Sequence, residues 1–171
     1  ALRQAVERSL GRRNQHGEST QTKNMKETYN STKTYRNFPC AHRQWKHDGH
    51  CAYIHGYSRE YTFYFEADSL DKHGWVVGFG DLKKLKDYLV HMYDHTLLIL
   101  EDDPELPLFK ELDAKGLCDL RIVPDVSLEG SAKTVLTKAN EILSELTGGR
   151  ARCFKAEARE NDKNSGIYTL S

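Results

Sequence analysis

The run from Tyr57 to Ala67, YSREYTFYFEA, alternates. Tyr57, Tyr61, Phe63 and Phe65 fall on one face, and Ser58, Glu60, Thr62 and Glu66 on the other. A period of two with aromatic enrichment predicts a half-buried antiparallel strand. A preceding strand is predicted through TYRNFPCAHRQW, where Pro39 marks an edge or a bulge, with KHDGH supplying a turn. The period then changes. Leu82, Leu85, Leu89 and Met92 are spaced 3, 4 and 3 apart, one face of a helix, for which Asp81 is the expected N-cap. A second helix is predicted through SAKTVLTKANEILSEL, closed by Gly148-Gly149. Between the two, EDDPELPLFKELDAKG predicts a short extra helix and CDLRIVP a short strand. Two closing strands, RCFKAEARE and GIYTL, flank the turn NDKNSG. The order ββααββ predicts an α+β fold, a four-stranded antiparallel sheet with two helices on one face.

Upstream of this pattern the chain has little to bury. Gly11 to Thr34 is polar throughout, with a thin stripe of Leu2, Val6 and Leu10 before it that fits a short helix. The division expected is a polar basic extension over residues 1–33 and a folded domain over 34–171, the extension docking on its own fold or on a neighbouring subunit. Charge follows that division. The chain balances 25 Lys+Arg against 25 Asp+Glu, but Ala1–Arg36 carries eight basic and three acidic residues, +5, leaving −5 for the remainder. With 38% hydrophobic residues and 12 Gly, a chain of 171 residues fits one globular domain. No apolar run reaches the roughly 18 residues of a membrane span, and no apolar signal region precedes the domain, so a cytoplasmic protein is expected. Zero net charge argues against direct nucleic-acid binding by the whole surface, while the basic extension leaves room for a partner. Cys40, Cys51, Cys118 and Cys153 have no C-x-x-C spacing and are expected to be reduced thiols, mostly buried.

Candidate chemistry concentrates in a few places. His42, His47, His50 and His55 crowd into fourteen positions together with Cys51. Cys51, Tyr53, His55 and Tyr57 are spaced by two, so an extended chain puts them on one face. A thiol, an imidazole and a phenol facing another strand's imidazole are donor types that zinc takes, although spacing alone favours histidines decorating a polar loop. Asp94-His95 follows the first helix, where the carboxylate can orient the ring for acid–base work or the histidine can simply favour the helix end. Glu160 ends a strand, where a carboxylate can accept two N–H bonds from a guanidine-like edge or stand exposed. Arg43 and Lys46 are cations able to meet phosphate, with a solvated loop the plainer role.

Taken in order, CAHR, CAYIHG, GWVVGFGDLK, YDHTLL and the ENDKNSGIY segment resemble 6-pyruvoyltetrahydropterin synthase and its bacterial relative 6-carboxytetrahydropterin synthase, from Tyr35 to Tyr168. The resemblance implies the T-fold, whose subunits join edge to edge into a barrel as trimers or hexamers with sites between subunits. It implies Cys51 as the catalytic thiol and Asp94 with His95 as its acid–base partner. It implies Zn²⁺ held by His42 and His55, Glu160 as the anchor of the pterin ring, and Ser127 and Glu129 near the pterin pocket. The implied substrate is 7,8-dihydroneopterin triphosphate, and the implied activity is a zinc-dependent carbon–oxygen/carbon–carbon lyase of the 6-carboxytetrahydropterin type, feeding 7-deazaguanine (queuosine) synthesis. A 6-pyruvoyl product and a non-catalytic pterin- or purine-binding T-fold protein are the other readings. Two positions depart from the family pattern. His-Gly-His reads His55-Gly56-Tyr57, which leaves Tyr57, His50 or His47 as the third metal ligand, and Asp-Phe reads Gly78-Phe79.

Overall fold

A computed structural model describes residues 26–171 of the chain. The predicted N-terminal helix and most of the predicted extension lie outside the described residues. β1 (Tyr29–His42) and β2 (His55–Ala67) form a long antiparallel pair, registered from Tyr29 opposite Ala67 to His42 opposite His55. Tyr29–Lys33, grouped with the polar extension on sequence grounds, are thus the start of β1. Pairing slips between Tyr35 and Phe38, where Asn37 takes a φ of 69°. This bulge accommodates Pro39 within an interior strand, which resolves the edge-or-bulge alternative.

α1 (Lys83–Tyr93) follows a 3-10 turn over Phe79–Leu82. Asp81 lies inside that turn, and α1 has no side-chain cap, so the expected Asp81 N-cap is not formed. β3 (Thr96–Leu100), α2 (Leu106–Ala114) and β4 (Leu120–Val123) come next. α3 (Leu128–Thr147) is capped by Ser127, whose Oγ accepts the Gly130 N–H at 2.9 Å, and it ends at Gly148 with φ 60°. β5 (Ala151–Arg159) and β6 (Ser165–Thr169) close the chain.

The sheet has six strands in the order β4-β3-β1-β2-β5-β6, not four. The expected antiparallel unit is present as β1-β2-β5-β6. β3 and β4 extend it in parallel beside β1. β3 was missed because TLLIL is buried at all five positions and shows no alternation. Its Leu98 and Leu100 join the main core with α1, α3 and the β2 aromatics Tyr61, Phe63 and Phe65. Its Leu97 and Ile99 join a second cluster with Phe109 of α2. The helices therefore do not all share one face: α1 and α3 cover one side, and α2 covers β3 and β4 from the other.

This arrangement brings the ends of β1 and β2 together and sets β3, with the residues just before it, alongside. A Cβ at Gly56 would stand 2.6 Å from the Cys40 carbonyl oxygen, so only glycine lets the two strands close at the histidine end.

Candidate functional site

His42 and His55 face one another as the last register pair of β1 and β2, ring centroids 4.5 Å apart. Tyr57, two residues along β2, lies 6.5 Å from the His42 ring and 5.9 Å from the His55 ring. The three residues singled out as metal ligands are therefore one cluster. His55 Nδ1 sits 2.7 Å from the Tyr53 carbonyl oxygen and donates to it, which leaves its Nε2 lone pair free.

His42 is held differently. Arg59 Nη2 lies 3.3 Å from His42 Nδ1, and a guanidinium only donates, so this nitrogen is the acceptor. Burial, the Arg59 charge and His55 together pull the His42 pKa down to about 4, so the ring is neutral near pH 7. A neutral ring that accepts at Nδ1 carries its proton on Nε2 and offers no lone pair there. His47 and His50 are exposed on the connecting loop, and His47 Nδ1 is occupied by the Gly49 N–H at 2.9 Å. Among the described residues no group of three His, Cys, Asp or Glu side chains is placed to hold a metal ion. Zinc needs three or four convergent donors with free electron pairs. This arrangement offers one imidazole lone pair, a phenol, and a ring already hydrogen-bonded to a cation. The residues present therefore do not fit the zinc site that the resemblance implies.

Arg59 was not singled out by sequence reading. It is 1% exposed. Its signal was legible nonetheless: it is the charged residue on the same parity as Tyr57, Tyr61, Phe63 and Phe65. Besides His42 it donates to Ser131 Oγ at 2.8 Å and to the Val126 carbonyl at 3.3 Å, and it lies 6.0 Å from the Tyr93 ring centroid.

Asp94 and His95 form a second unit. His95 Nδ1 is 2.7 Å from Asp94 Oδ1, so the ring donates to the carboxylate and keeps Nε2 available as a base. His95 is exposed and takes a φ of 60°, a left-handed conformation fixed by its own N–H donating to the Pro39 carbonyl at 2.7 Å. That bond ties the pair to β1, three residues before His42. Tyr57 and His95 line a common depression of about 460 Å³ with Pro39, Cys40, Gly56 and Thr96.

Cys51 occupies a short 3-10 turn (His50–Ala52) in the β1–β2 loop and is exposed. Its carbonyl accepts the Gln44 N–H at 2.7 Å, which folds the loop back onto the chain leaving His42. Arg43 and Lys46 anchor the same stretch and are not free for phosphate. Arg43 makes a two-pronged pair with buried Asp103 at 2.7 and 2.9 Å, and Lys46 with Trp45 holds Asp102. Of the other thiols, Cys40 and Cys153 are buried and Cys118 half-buried, with no disulfide among the four.

Glu160 follows the last residue of β5, one position beyond the Glu60–Arg159 register pair, and its Oε1 accepts from Asn164 Nδ2 at 2.9 Å. Gly166, at the start of β6, packs against the backbone of Leu128 and Glu129. The turn bearing Glu160 therefore leads into the start of α3, where Glu129 is exposed and Ser127 serves as cap.

A family model described as 6-pyruvoyl tetrahydropterin synthase matches residues 31–170. The chain is 30% identical over 121 residues to the 6-carboxy-5,6,7,8-tetrahydropterin synthase of Bacillus subtilis, covering 70% of each chain. It is 33% identical over 70 residues to the protein of the same name from Rickettsia conorii, 40% of this chain and 51% of that one, so the match spans about half of that relative. Among solved structures, an uncharacterised protein of Wolinella succinogenes superposes with a TM-score of 0.73 at 18% identity, covering 85% of this chain and 99% of that one. The Plasmodium vivax 6-pyruvoyltetrahydropterin synthase superposes with a TM-score of 0.59 at 15% identity, covering 82% of this chain and 97% of that one. These likenesses give the α+β T-fold, and no helix among the described residues is long and apolar enough to cross a membrane. The chain belongs to the 6-pyruvoyl tetrahydropterin synthase family.

Proposed function

We propose that the chain is a pterin synthase of the 6-carboxytetrahydropterin type, a lyase acting on 7,8-dihydroneopterin triphosphate in 7-deazaguanine synthesis. The observation that carries the reading is the Asp94–His95 pair, hydrogen-bonded at 2.7 Å and fixed to β1 beside the two-histidine end. An exposed imidazole with its Nδ1 held by a carboxylate is a poised general base. Cys51, exposed on the neighbouring loop, is the second proton carrier at the substrate side chain. Glu160 takes the 2-amino and ring N–H groups of the pterin as a two-point acceptor, while Asn164 fixes the carboxylate's orientation. Glu129 lies near the same pocket, and Ser127 supports it as the cap that starts α3. No step is assigned to zinc, because the donor set does not fit it. The curated relatives that match carry the 6-carboxy name, which favours that product over the 6-pyruvoyl one.

In this reading the subunits assemble through the exposed sheet edges, β4 and β6, into a ring that works in the cytoplasm. The binding half of the proposal is tested with Glu160→Gln and 7,8-dihydroneopterin as the fluorescent probe. Losing a charge-assisted bond lowers pterin affinity roughly tenfold or more. Unchanged affinity removes Glu160 from the site.

A further inference from the structure

The buried guanidinium behind the two histidines has no partner of opposite charge. Arg59 is 1% exposed, and among the described residues no carboxylate pairs with it. Its neighbours from every packed element are neutral: Ser131 and the Val126 carbonyl at the start of α3, Tyr93 at the end of α1, Cys40 and His42 on β1, and Tyr61 on β2. Its Nε, like the buried Tyr61 hydroxyl, makes no hydrogen bond. A buried cation without a counter-charge is costly, and an anion at the adjoining site is what offsets it.

The hydrogen bond to His42 decides how that charge is used. Because arginine cannot accept, His42 Nδ1 is the acceptor and Nε2 bears the proton. An Nε2–H cannot ligate a metal but can donate to an oxygen. The fixed positive charge at 3.3 Å also repels a dication from the same ring. The third imidazole of a zinc site is a phenol here, Tyr57, which likewise donates to an oxygen.

We propose that Arg59 is the resident cation of the His42–His55–Tyr57 site, and that the site receives an anionic oxygen of the carboxylate, phosphate or enolate class while holding zinc only weakly. Arg59 acts through His42 as a positioning residue. The proposal deepens the function proposed above and rests on it for the identity of the anion as a substrate side-chain oxygen. Its metal and proton readouts need neither substrate nor turnover.

Three measurements on the full chain test it. A long-range proton–nitrogen NMR correlation of the histidine rings shows the His42 proton on Nε2; a proton on Nδ1 overturns the proposal. Millimolar inorganic phosphate or acetate shifts the His42 nitrogen signals relative to chloride at equal ionic strength, and Arg59→Met abolishes the shift; insensitivity to both anions overturns it. Protein loaded with zinc and then dialysed retains far less than one ion per chain. The double variant Tyr57→His with Arg59→Met binds zinc roughly 10- to 100-fold more tightly, the range over which outer partners of a ligand act. A wild-type chain that keeps one zinc, lost in His42→Ala, overturns the proposal. Should Arg59→Met not fold, the wild-type NMR spectrum and zinc content decide the matter. Failure of these readouts leaves pterin turnover intact, and failure of turnover leaves them unmoved.

Discussion

His95 shows how much one residue's conformation carries. Its left-handed φ of 60° costs free energy that a glycine would avoid, yet the bond from its N–H to Pro39 holds it there. Its ring then stands exposed with Nδ1 fixed by Asp94. Asp94→Asn keeps the size of the partner but lets the ring take the wrong tautomer. Turnover is expected to fall by roughly 100- to 10,000-fold with little change in KM, measured by steady-state kinetics with circular dichroism as the folding control. An undiminished rate would make the pair a helix-end contact only. The dipeptide itself was legible in the sequence. The φ was not, because it follows from β3 running parallel to β1. Arg59 was overlooked for a related reason: a strand's parity shows that a charge faces inward, but not whether a carboxylate waits there.

Among the elements, the β1–β2 loop depends on a latch that the sequence did not reveal. Arg43, directly after His42, meets Asp103 after β3 in a two-pronged pair, with the Asp103 side chain fully buried. Asp103 Oδ1 also accepts the Glu105 N–H at 2.9 Å, which shapes the approach to α2. Removing the carboxylate leaves a half-buried guanidinium unpaired. Asp103→Ala is expected to cost about 3 kcal/mol, read from the urea midpoint, and to loosen the loop that carries Cys51. A loss below about 0.5 kcal/mol would make the pair a surface-type contact of little consequence. Periodicity delivered β2, α1 and α3 with small shifts at their ends because each is buried on a single side. β3 was invisible to the same reasoning because both of its faces are covered.

Over the whole molecule, the core is built around acids kept neutral by burial. Burial pushes Cys153 up to about 12 from its ordinary 9.0, and Tyr35 up to about 12 from 10.0. Both folded-state values lie above the unfolded ones. Their contribution is therefore complete below pH 9 and lost as pH rises from about 9 toward 12, where the unfolded chain releases protons that the folded chain retains. Urea midpoints are expected to fall from pH 8 to pH 10.5, and Cys153→Ala is expected to flatten the first part of that slope. A midpoint that stays level would show that the thiol is not shielded. At this scale the sequence also suggested two separate parts, a basic extension and an acidic domain, but the sheet does not respect that line, since residues 29–33 pair with β2.

The central claim is that this chain opens the side chain of a pterin triphosphate. Its most direct test is to incubate purified protein with 7,8-dihydroneopterin triphosphate, with and without a strong chelator, and to identify the pterin formed by mass spectrometry. The account predicts release of triphosphate with formation of 6-carboxytetrahydropterin, undiminished by the chelator and lost in Asp94→Asn. Substrate recovered intact, whether zinc is added or withheld, would contradict it.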